Sequence, residues 1–134
     1  MIKFGEQPVA NVIEALQLLA AEATEQVAAF PPFVAVADEI ALTLHDALLL
    51  LNQDADTAGL PESVLATLEE IDRSLEELSN QDESRFWSPE GLANDVRWHR
   101  LRLSARDLLT TLNVPQTRLP VTASYHVVEP DDRE

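Results

Sequence analysis

Apolar residues recur along this chain at spacings of three and four in four stretches, each opened by proline, and that period predicts four amphipathic helices. Over residues 8–29, Val9, Val12, Ile13, Leu16, Leu19, Ala20, Ala23, Val27 and Phe30 share one stripe, with Glu14, Glu22 and Glu25 opposite and Leu18 pointing away as a single exposed leucine. Residues 32–52 place Phe33, Val36, Ala37, Ile40, Leu44, Ala47, Leu48 and Leu51 on a main face, while Leu42 and Leu49 recur on nearly the opposite side. Residues 61–79 repeat Leu65, Leu68, Ile71, Leu75 and Leu78 above an acidic outer face. Residues 89–112 again show two strips: Trp98, Leu101, Ala105, Leu108, Leu109 and Leu112 on one side, Leu92, Val96 and Leu103 on the other.

The boundaries have chemical causes. Pro8, Pro31, Pro32, Pro61 and Pro89 suit a first helical turn, where a missing N–H costs nothing. Ser88 caps the fourth helix ahead of Pro89 and Glu90, and Asn113 ends it. Residues 53–60 and 80–87 read as loops, and such short connections favour antiparallel neighbours. The expectation is an all-α protein: an antiparallel four-helix bundle over residues 1–113, followed by an extended tail over 114–134. In that tail Val121, Ala123, Tyr125 and Val127 alternate with Thr122, Ser124 and His126 as a short strand, frayed after residue 129. A strand needs an edge to join, offered by residues 1–4, a second copy or a partner.

Composition is that of one globular domain: 134 residues, 46% hydrophobic, 25% charged, three glycines. There is no cysteine, hence no disulfide framework or thiolate metal site, and the start lacks a signal-peptide pattern, so the expected location is cytoplasmic. Apolar runs such as residues 47–51 are far too short to span a bilayer, and no membrane association is expected.

Charge changes the picture more. The net charge is -15, yet it is unevenly spread. Residues 1–84 carry 17 acids against Lys3 and Arg73, whereas residues 85–118 carry six arginines against Glu90, Asp95 and Asp107. So acidic a surface repels phosphate, which argues against direct nucleic-acid binding and for a basic protein partner. The fourth helix has two polar seams, Arg97 with Arg100 and Asp95 with His99, Arg102 and Arg106. One reading is internal neutralisation, the arginines meeting neighbouring carboxylates such as Glu69, Glu70, Asp72, Glu76 and Glu77 while Asp95 partners His99. The sharper reading is an anion site: His99, Arg102 and Arg106 lie a turn apart on one face and would converge on a phosphate or carboxylate, with Trp98 and Trp87 as an aromatic wall.

Candidate chemistry beyond this is thin. His45, flanked by Asp38 and Asp46, lacks the Glu-x-x-His pairs of di-iron bundles, and no metal or cofactor is expected. The line Glu69, Asp72, Glu76 resembles the acidic pattern of helical nucleotide pyrophosphohydrolases, which would imply Mg²⁺ and a phosphorylated substrate, but the second carboxylate pair of those enzymes is absent. No nucleophile elbow occurs, and each serine sits in a helix or cap context. The expected function is therefore a small acidic interaction protein of inhibitor, immunity or adaptor type. It would bind a basic partner and associate with itself, as a dimer, through Leu42, Leu49, Val96, Leu103 and Tyr125. A ligand-binding protein or enzyme for a phosphorylated small molecule, or a subunit of a larger assembly, are the alternatives.

Overall fold

The computed structural model describes residue 2, residues 4–53 and residues 59–115. Among them every regular element is a helix: α1 (Gln7–Ala20), α2 (Ala23–Ala28), α3 (Val36–Asn52), α4 (Glu62–Ser79), α5 (Ser84–Trp87), α6 (Pro89–Asn94) and α7 (Val96–Thr111). The fold is all-α. The expected strand, with Tyr125, lies outside the described residues.

The core is built around α1, which packs against both α3 and α7, while α4 closes on α3. Flanked twice, α1 buries two sides, so Val9, Val12, Leu16 and Leu19 are joined in the interior by Leu18, which is fully buried rather than exposed. Ile40, Leu44 and Leu51 of α3, Leu68 and Leu75 of α4, and Leu109 of α7 complete the same apolar cluster. No described helix is long and apolar enough to cross a membrane.

Three helical stretches differ from the periodicity. The stretch 8–29 is divided: Ala21 is extended (φ -72°, ψ 159°), and the chain restarts as α2 in a shifted phase. Gln26 is thereby fully buried and Val27 largely exposed, the reverse of the expected order. The break is stabilised by side chains that take over the orphaned end carbonyls. Gln26 Nε2 donates to Leu18 O (3.0 Å) and Leu19 O (3.1 Å), and Arg106 Nε donates to Ala20 O (2.9 Å). The second stretch starts later than its proline pair suggests, at Val36, which leaves Phe33 in a turn and 86% exposed.

The stretch 89–112 is divided at Asp95. Ser88 does cap α6, its Oγ accepting from Gly91 N (3.0 Å), but Asp95 then caps a new helix, α7. At the far end Asn113 takes the left-handed conformation (φ 62°), with Val114 N donating to Leu109 O and Asn113 N to Thr110 O. These paired bonds form the Schellman closure that an asparagine tolerates. Residues 80–87, expected as a loop, contain the one-turn helix α5, whose Phe86 is fully buried. Gly91 makes that arrangement possible, since a Cβ there would lie 2.0 Å from Arg85 O.

Candidate functional site

The polar edge of α7 is occupied by its own chain. Asp95 Oδ1 accepts from Arg97 N (2.8 Å) and Nε (3.0 Å), and Oδ2 accepts from Arg97 Nη2 (2.8 Å). Arg97 also reaches Glu83 at 3.2 Å and lies 5.0 Å above the Phe86 ring. The Arg97 hydrogen bond holds the Asp95 carboxyl below its ordinary pKa against the cost of burial. Asp95 thus partners Arg97, not His99, which is exposed.

Trp98 is fully buried, stacked on Phe86 at 4.6 Å with its Nε1 donating to Phe86 O (2.8 Å). Arg102 is buried as well: Nη2 donates to Gln26 Oε1 (2.9 Å) and to the carbonyl of Leu92, and Nε has no hydrogen-bond partner. Burial pushes its pKa down while the charge of Glu22 raises it. Arg106 adds an ion pair to Glu22 (2.8 Å), and this hydrogen bond lowers the Glu22 pKa. Arg97 and Arg106 are therefore neutralised internally, but by Asp95, Glu83 and Glu22 rather than by the carboxylates of α4, while Arg102 is held by an amide and a carbonyl. Arg102 and Arg106 come together with Gln26 at the α1–α2 break, leaving His99 outside that group.

A concavity lies elsewhere, between α3 and α4, with a volume of about 470 Å³. Its lining sets the apolar Ala41, Leu42, Leu75 and Trp87 beside Asp38, His45, Asp72 and Glu76. His45 Nδ1 lies 3.2 Å from both Asp72 carboxylate oxygens, bridging the helices. Trp87 is fixed by donation of its Nε1 to Leu78 O (3.3 Å) and by an edge contact to Phe86. Burial, reinforced by the charge of Glu39, raises the pKa of Asp38. A second groove, of about 320 Å³ between α4 and α7, mixes Arg97 and Arg100 with Glu77 and so has no single sign.

Sequence reasoning grouped His45 with Asp38 and Asp72 with Glu76 but did not join the two groups, because a contact between residues 27 apart has no local signature. The strip residues Leu42, Leu49, Val96 and Leu103 are each between 45% and 55% exposed. Among the described residues no group of three or more histidine or carboxylate side chains is placed to hold a metal ion. Compared with known protein families, curated proteins and solved structures, the chain finds no significant match.

Proposed function

We propose that this chain is an acidic interaction protein, built as an antiparallel four-helix bundle of α1, α3, α4 and α7, which docks a basic amphipathic helix of a partner protein in the α3–α4 groove. The observation that carries this reading is a concavity between two helices in which the apolar Ala41, Leu42, Leu75 and Trp87 stand beside the acids Asp38, Asp72 and Glu76. The packing of α1 on α3 and α7, and of α3 on α4, supports the bundle. A net charge of -15 adds long-range attraction, which speeds encounter with a cationic surface and is screened by salt. An anionic ligand at His99, Arg102 and Arg106 is less well supported, since both guanidiniums already donate to protein acceptors.

The test is titration with a synthetic basic amphipathic helix, followed by calorimetry. Binding should weaken steeply as salt rises, and Asp72→Asn or Glu76→Gln should each weaken it about 2–5-fold, the effect of one such charge. Asp38→Asn gives an internal control. A carboxyl whose folded pKa is raised contributes stability at low pH and loses it as pH rises through that pKa, so at neutral pH this variant should bind less tightly without melting earlier. Affinity indifferent to salt and to all three substitutions would sink the reading.

A second reading is favoured by the charges beside the exposed strips. On a helical wheel Leu42 and Leu49 lie between Asp38 on one side and Glu39 and Asp46 on the other, whereas Val96 and Leu103 lie between His99 and Arg100, with Asp107 a turn further on. Two α3 faces would oppose carboxylates, so self-association is better served by α3 of one copy against α7 of another, a heterologous contact.

A further inference from the structure

The groove has a neighbour. Behind Trp87 lies a more enclosed cavity of about 190 Å³, walled by Val27, Pro31, Pro32, Val34, Trp87 and Leu92 among others, with no charged or hydroxyl-bearing side chain in its lining. Trp87 borders both cavities, and so does the first turn of α3: Ala37 faces the apolar one and Asp38 the groove. We propose that this cavity is an anchor pocket that receives one aromatic or leucine side chain of the basic helix lying in the α3–α4 groove, a proposal that rests on the docking reading above.

Size, chemistry and stiffness agree. Sites for whole small molecules run from about 300 Å³ upward, whereas an apolar cavity of about 150 Å³ suffices for a benzene ring, so 190 Å³ suits a single side chain. With no polar side chain to hold water in place, the pocket gains by exchanging solvent for hydrocarbon. Pro31, Pro32 and Pro89 fix the backbone of its walls, and Val34 N donates to Pro31 O (3.1 Å) to close the turn, so little ordering is required on binding. The residues of this chain nearest in sequence do not fill it: Phe33, in the same turn, is 86% exposed. Residues 119–134 carry four acids against Arg133, the wrong sign for the adjoining carboxylates. A cationic occupant matches Asp38, Asp72 and Glu76. Asp38 adjoins the pocket, and His45, in contact with Asp72, lies seven residues on, about 10 Å along α3, so the occupant's basic residues belong within about two turns of its anchor.

The decisive experiment compares two helical peptides with the same basic residues, one carrying phenylalanine at the anchor position and one alanine, against the intact protein and its Val27→Phe variant. Val27 is exposed at the pocket wall, and the larger ring occupies the cavity without changing charge. The phenylalanine peptide should bind the native chain at least about 10-fold more tightly, as burial of one aromatic side chain implies. Val27→Phe should erase that advantage while leaving the alanine peptide's affinity as it was. Equal affinities for the native chain, or an advantage that survives Val27→Phe, overturn the anchor pocket and leave the groove reading intact; failure of both peptides to bind at low salt overturns the groove reading and the pocket with it.

Discussion

Arg102 is the residue on which the interior is most exacting. Its guanidinium is buried beside an amide and a carbonyl rather than a carboxylate, an arrangement tolerable because both acceptors are fixed by other elements. Arg102→Ala would leave a cavity and orphan Gln26 Oε1 and Leu92 O, and should cost about 3 kcal/mol in denaturant unfolding. Because Gln26→Leu removes one of the orphans, the double variant should lose less than the summed single losses; strict additivity would show that the pair does not act as a unit. Trp98 illustrates the limits of composition at this scale. A tryptophan beside arginines suggests a ligand wall from sequence, yet the indole lies against Phe86, which a loop-like stretch of polar residues had concealed.

At the scale of elements, helix phase was legible where a stretch stayed unbroken, as in α4, and helix continuity was not. The apolar period placed Leu68, Ile71 and Leu75 correctly on the inner side of α4, Ser88 and Pro89 announced the start of α6, and Asn113 the end of α7. Nothing local announced the break after Ala20, because the donors that satisfy its carbonyls come partly from Arg106, 86 residues away. Asp95 left a weak signal, an acidic cap residue inside an apolar period, and Gly91 four residues earlier was another. Asp95→Ala should cost about 1–2 kcal/mol at neutral pH, the usual loss for an N-cap. The native pKa of Asp95 is depressed, so its contribution is present above the ordinary value of 3.8 and is lost as pH falls through the folded value. Acid unfolding curves of Asp95→Asn should accordingly be shallower than the parent's as pH falls from the ordinary value towards the folded one, and coincident slopes there would contradict the assignment.

For the whole molecule, the candidate site was the least legible feature, since the groove is a product of packing between α3 and α4 and not of any motif. Its ingredients were visible as an acidic outer face and a spare leucine, Leu42, but their juxtaposition was not. The charge pattern of the exposed strips yields its own forecast. A Leu42→Ser/Leu49→Ser variant and a Val96→Ser/Leu103→Ser variant should each sediment as monomers, while their equimolar mixture forms a one-to-one pair; a face-to-face contact would give no such complementation. A native chain that remains monomeric at high micromolar concentration would exclude self-association altogether. The clamps joining Gln26 to Arg102 and Glu22 to Arg106 carry one more implication, for biogenesis. The end of α1 must wait for a stretch synthesised some 80 residues later before its carbonyls are fully sheltered, so a nascent or truncated chain ending before α7 should stay open to proteases, and the last of the described helices is the one that locks the first.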